Sequence, residues 1–160
     1  CVPITKGVTR ELPAVGEIAL IHHNYKSVTQ YLERLNRYTT IQATQLNEAL
    51  ESQEQEIDSS FIFRKFYSEF FARFFAHQGV NEGTHGSALS LLQGLSEACV
   101  AIKVWEQRGF EQSDTQQEET AVAELTQFKT ELSYWLADWN VKNSSGIKQL
   151  FWKIRRKLYI

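Results

Sequence analysis

The 160-residue chain has no methionine, only two prolines, only two cysteines, and no apolar run near the 18 residues of a membrane span. Each scarcity excludes something. Without such a run, a membrane-spanning chain is not expected. Both prolines, Pro3 and Pro13, lie near the start, so no later proline breaks a helix. The cysteines form no Cys-x-x-Cys pair and no His-Glu-x-x-His occurs, which removes the common zinc signatures. "GVNEGTHG" has the glycines of a phosphate loop but lacks its lysine and a preceding strand, and no serine stands in a nucleophile elbow. The missing methionine leads to the expectation of a processed product or a domain excised from a longer chain.

What is present is the composition of a folded protein, 42% hydrophobic and 22% charged with net charge −2. One domain over 1–160 is expected, able to bury roughly two-thirds of its unfolded surface. The charge is uneven. Lys142 to Ile160 holds six basic residues (Lys142, Lys148, Lys153, Arg155, Arg156, Lys157) and no acid, so the remainder sums to −8. A basic end on an acidic body favours an anionic partner surface, although cations near a helix C-terminus also complement its dipole without any partner. A nucleic acid is not among the expected partners.

Abundant Leu, Glu, Gln, Ala and Lys point to helix throughout, hence an all-α, single-domain bundle of four to five helices. From Pro13, the residues Ile18, Ile21, Tyr25, Val28, Leu32 and Leu35 form one apolar stripe. The β-branched Thr39, Thr40 and Ile41 weaken the helix without stopping it, and Ile41, Leu46, Ala49 and Leu50 then face inward. Asp58, Ser59 and Ser60 supply the next N-cap. "FIFRKFYSEFFARFFAHQG" follows, with seven Phe and a Tyr in its first fifteen residues. Phe63, Phe66, Tyr67, Phe70, Phe71 and Phe74 recur at helical spacing, and Phe61 and Phe75 widen the arc, as in a central helix packed on more than one side.

Gly79 ends that helix, and "GVNEGTHG" is a flexible link. Ser87 then caps a helix with Ala88, Leu91, Leu92, Leu95, Cys99 and Ile102 inward, ending at Gly109. A polar loop follows, with Thr115 and Glu118 as a capping box. The next helix buries Val122, Leu125, Phe128, Leu132, Trp135 and Trp139. After "NVKNSSG", a last helix turns Ile147, Leu150, Phe151, Ile154 and Leu158 inward.

Chemistry-bearing groups are sparse. Glu82 and His85 are the only Glu-x-x-His pair, and they sit in the glycine-rich link. His22 and His23 are adjacent and diverge on a helix. Cys99 lies on an apolar stripe with nothing to activate it. Glu118 and Glu119 belong to a first helical turn, where negative charge is favoured anyway. No enzyme, cofactor or metal is expected. Cys1 and Cys99 are an even count, compatible with one disulfide or with two separate thiols. Asn143-Ser144-Ser145 matches the N-glycosylation acceptor.

A helical bundle opening on Cys1 with a second cysteine at Cys99 resembles the type I interferons among the helical cytokines. "LSEACV" (95–100) is similar to the family's sequence around its second cysteine, and "FFARFF" and "FWKIRRKLY" are weaker echoes. Trp152 and Arg155 match the family's tryptophan and following basic residue. The family's second cysteine pair, its long first crossover loop and its Cys-Ala-Trp run are absent. The resemblance implies a Cys1–Cys99 disulfide and a secreted ligand that bridges two receptor chains, with Lys148, Arg155 and Arg156 as contacts. The alternative expectations are a bacterial periplasmic or lipid-anchored helical module acylated at Cys1, and a cytosolic adaptor bundle.

Overall fold

The computed structural model describes Gly7, residues 25–111 and residues 117–158. Among these residues the fold is an all-α bundle without strands: α1 (Val28–Glu51), α2 (Ser59–Phe71), α3 (Gly83–Gln107), α4 (Gln117–Asn143) and α5 (Gly146–Leu158). Cys1, His22, His23 and Thr115 lie outside the described residues, and with them the Cys1–Cys99 pairing and the capping box.

Ser27 starts α1 from an extended backbone, its hydroxyl accepting the Gln30 amide at 3.1 Å. Tyr25–Ser27 is not helical, so the helix expected to run on from Pro13 is interrupted there. The threonine run is absorbed, because the Thr39 and Thr40 hydroxyls donate to the Asn36 carbonyl at 3.2 and 2.9 Å. The buried face is Tyr31, Thr39, Ala43 and Leu50, whereas Val28, Leu32, Ile41 and Ala49 are exposed.

Asp58 caps α2 as expected, accepting the Phe61 amide at 2.8 Å. Tyr67, Phe71 and Phe75 are buried, with Phe66, Phe70 and Phe74 half-buried beside them. Phe71 stacks on Phe128 of α4 at 5.3 Å and Phe75 on Trp135 at 5.7 Å. Phe63 is exposed, a correction to the expected stripe. Phe61 instead joins a second cluster around Ala43, Leu50, Ile57, Val100 and Val104. Past Phe71 the chain winds as a π-helix over Ala72–Ala76, and a 3₁₀ turn covers Gly79–Glu82. The expected flexible link is therefore largely helical. α3 begins at Gly83, and Ser87 lies inside its first turns, its hydroxyl donating to the Gly83 carbonyl at 2.8 Å.

α2 packs between α3 and α4, α1 lies against α3, and α5 lies against α4. Polar pairs give the directions. Tyr31 meets Gln93 and Asn47 meets Arg108, so α1 and α3 run the same way. Lys65 meets Glu97 near the start of α2, while Gly79 just beyond its end meets Gly86, so α2 and α3 are antiparallel. Arg64 meets Glu124 and Phe75 meets Trp135, so α4 follows α2. α1 to α4 thus alternate in direction along the chain, unlike the up-up-down-down cytokine bundles, and they pack in the spatial order α1, α3, α2, α4.

α3 reaches its neighbours through small residues. Gly86, Ser90, Gly94, Ala98, Ala101 and Val104 are buried. A Cβ on Gly86 would collide with the Gly79 carbonyl, and one on Gly94 would lie 2.9 Å from the Phe66 carbonyl oxygen. The expected inward set is turned away: Ala88, Leu91, Leu95 and Ile102 are exposed, and Leu92 and Cys99 are half-buried. The segment Gly79–Gln107 has the length and composition to cross a membrane, yet in this fold it packs on α1 and α2. In α4, Phe128, Leu132, Trp135 and Trp139 pack on the aromatic core as expected, but Val122 and Leu125 are exposed. Beside them the buried position goes to a carboxylate, Glu124, and a second carboxylate, Asp138, is buried near the other end of the helix.

Candidate functional site

α5 is basic and amphipathic, and its two faces are placed the opposite way from the expectation. Ile147, Leu150, Phe151, Ile154 and Leu158 recur at spacings of three and four, the pattern expected of a core-facing stripe. All are exposed, from 52% at Ile154 to 89% at Ile147. The helix is held to α4 by its other side. Gln149 donates to the Val141 carbonyl at 3.0 Å, Trp152 is half-buried, and Arg156 reaches Asp138 at 2.6 Å.

Asp138 is the hub of that attachment. Its carboxylate takes Arg156 on Oδ1 and Lys142 on Oδ2, the latter at 2.7 Å. Burial alone pushes its proton affinity up, but the hydrogen bonds from Lys142 and Arg156 outweigh burial and hold the carboxyl below its ordinary range. A charge paired on both oxygens is tolerated where an unpaired one is not. Glu124 is built on the same logic between α2 and α4. Arg64 grips both of its oxygens, at 2.9 and 3.3 Å, and the Tyr67 hydroxyl donates to Oε1. The Arg64 hydrogen bond keeps Glu124 ionised against its burial, while burial and the Glu124 contact push the Tyr67 phenol up.

The three expected contact cations therefore separate. Lys148 is exposed at the first turn of α5. The Arg155 guanidinium lies over Phe151 and Trp152, 5.9 and 5.4 Å from their ring centroids, so it covers aromatic surface while keeping its charge. Arg156 is paired with Asp138 and supports the fold, with 38% of its side chain still exposed. Lys153 and Lys157 add two exposed charges to the same helix. The outer side of α5 thus combines an apolar row with a cationic border.

Elsewhere, Glu82 and His85 are exposed, and among the described residues no group of three or more His, Cys, Asp or Glu side chains gathers as metal ligands would. Asn143 is the last residue of α4, with its acceptor tripeptide running into the α4–α5 link. The sequence missed Asp138 and Glu124 as organising residues, because a charged residue at helical spacing reads as a solvated one. The available signal was their offset from Arg64 and Arg156, which becomes legible only once the helices are paired. No family model, curated protein or solved structure matches this chain.

Proposed function

We propose that the chain is a secreted, non-catalytic helical ligand that docks α5 onto an acidic, apolar-centred face of a protein receptor. The observation that carries this reading is the exposed row Ile147, Leu150, Phe151, Ile154 and Leu158 beside Lys148, Lys153, Arg155 and Lys157. Five large apolar side chains held off the core by a polar attachment give the fold little, whereas a partner groove reads such a helix by its i, i+3, i+4 and i+7 anchors. Buried apolar anchors would supply most of the affinity, and the flanking cations would steer the encounter. The cysteine arrangement and the "LSEACV" run favour a cytokine-like ligand. The alternating helix directions point to a bundle of different connection from that family, so receptor binding is assigned to α5 itself and not to a borrowed topology.

The test is labelled protein on cultured cells, intact or trypsin-treated, and on phosphatidylcholine vesicles with or without phosphatidylserine. Saturable binding is expected that trypsin abolishes and that Leu150→Asp reduces at least tenfold. Trypsin-resistant binding matched by phosphatidylserine vesicles would assign α5 to a lipid surface. Saturable binding indifferent to Leu150→Asp would move the contact elsewhere.

A further inference from the structure

α3, α2 and α4 lie side by side, and the two faces of that layer differ. On one face the contacts between helices are charged: Lys65 pairs with Glu97 across α2 and α3, and Arg64 with Glu124 across α2 and α4. Helical phase sets the other face. On α2, Phe63, Phe66, Phe70 and Phe74 recur at spacings of three and four, turned away from Arg64 and Lys65. The Phe66 ring lies against Gly94 of α3. Next to Gly94, on the side away from Glu97, come Leu91, Leu95 and Ile102, a single exposed row. On α4, Leu132 packs on the aromatic cluster, and Leu125 and Leu136 share its row and are exposed. That row lies across Phe128 from Glu124, hence on the Phe70 and Phe74 side of α2. Rows from three helices thus form one apolar face with no charge in it, and among the described residues nothing covers it. A layer apolar on one face is stable when a second layer buries that face.

The size of the face indicates its cover. Three helices, each about 10 Å across with side chains, and rows about 16 Å long make an outline of about 500 Å², before side-chain relief is added. A standard interface removes about 800 Å² from each partner, which is the same order. One further segment of the chain would span only about a third of that width. The chain also enters α1 from elsewhere, at Tyr25, whose ring meets Tyr31 at 4.7 Å, and the Tyr31 hydroxyl accepts from Gln93. Gln93 lies on the opposite side of α3 from Leu91 and Leu95. A face made of apolar rows alone is self-complementary, as a two-fold contact requires.

We propose that this face packs on the same face of a second copy of the chain, forming a two-fold dimer. α5 is held at Val141 and Asp138, on the flank of α4 away from Leu125 and Leu136, so each copy keeps its α5 row outside. The dimer therefore presents two α5 helices and can engage two receptor chains at once. That consequence rests on the receptor reading of α5; the dimer itself does not.

The full chain is sedimented across a dilution series, and a mass of two 18.5 kDa chains is expected. Leu91→Glu and Leu125→Glu, on different helices and solvent-exposed in one copy, should each give a single-chain mass with unchanged helical circular dichroism. Each places unpaired charges inside the apolar contact. Ile147→Glu, on α5, should remain a dimer. A single-chain mass for the parent at every concentration would overturn the proposal, and early melting of Leu91→Glu in that case would give the face to the chain's own N-terminal segment. A dimer indifferent to both face variants, or broken by Ile147→Glu alone, would overturn it equally. Cell binding separates the two readings. Monomeric Leu91→Glu should bind cells at least about tenfold more weakly than the dimer, since avidity is lost. A parent that dimerises without binding cells would refute the α5 reading and leave the dimer standing.

Discussion

α2 and α5 are both thirteen residues long, both carry apolar residues at helical spacing, and they have opposite fates. α2 lies between α3 and α4 and buries Tyr67 and Phe71 to 2% and 1% exposure. α5 has α4 as its neighbour, meets it through Gln149 and Arg156, and leaves its apolar row outside. A stripe therefore specifies a face without specifying what covers it. For α2 the cover is supplied by aromatic residues of α4 and a glycine-lined groove on α3. For α5 a buried carboxylate on α4 captures an arginine from the polar side, and that capture sets the orientation of the helix.

The comparison breaks most visibly at the ring with the least exposure. Phe71→Ala should cost about 3–5 kcal/mol in denaturant unfolding, as truncated core aromatics do. Ile154→Ala, an equally regular member of its own stripe, should change stability by less than about 0.5 kcal/mol. Equal losses would mean that the α5 row is covered in solution.

Arg156→Gln should come next, at about 1–3 kcal/mol, because it strips one charged hydrogen bond from a buried carboxylate. Its companion Lys148→Gln, exposed on the same helix, should leave the melting curve unchanged. A silent Arg156→Gln would show that Lys142 alone satisfies Asp138.

Acid tests the two carboxylate locks together. Glu124 and Asp138 are both held below the ordinary carboxyl range. A depressed folded-state value adds stability that is complete above the unfolded value, about pH 4, and is lost as pH falls through the folded one. Melting temperature should be level from pH 7 to about 5 and fall below about 4, and Glu124→Gln should flatten part of that fall. The raised Tyr67 phenol acts at the other extreme: its contribution is complete below about pH 10 and is lost as pH rises beyond it. An acid limb indifferent to Glu124→Gln would assign the effect to other carboxyls.

The smallest effect expected is on binding alone. Lys148→Glu should slow association with trypsin-sensitive cell sites while leaving helical circular dichroism unchanged, and the difference should shrink as salt rises. An unaltered rate at low salt would remove Lys148 from the contact.

The sequence made the helices legible but not their orientations. Asp58 announced α2, the scarcity of proline announced long helices, and the Phe71–Phe75 region announced a core. On α3 the eye follows Leu91, Leu95 and Ile102, yet the fold uses the opposite face, where glycine, serine and alanine allow close approach. Side-chain size and the geometry of approach compete there, and hydropathy alone cannot rank them. Of the candidate site, the basic charge of the last helix was legible. The outward turn of its aliphatic row was not, because it depends on Asp138, a residue of another helix.

The contact between Gly79 and Gly86 also bears on the order of folding. It joins residues only a few positions apart in the chain, so its closure costs little entropy, and it leads directly into the Gly94–Phe66 approach farther along the same pair. Such local contacts form early in helical proteins. The α2–α3 hairpin is accordingly expected to form first, a wall on which α1 and α4 pack from opposite sides, with α5 docking on α4 through Gln149 and Arg156.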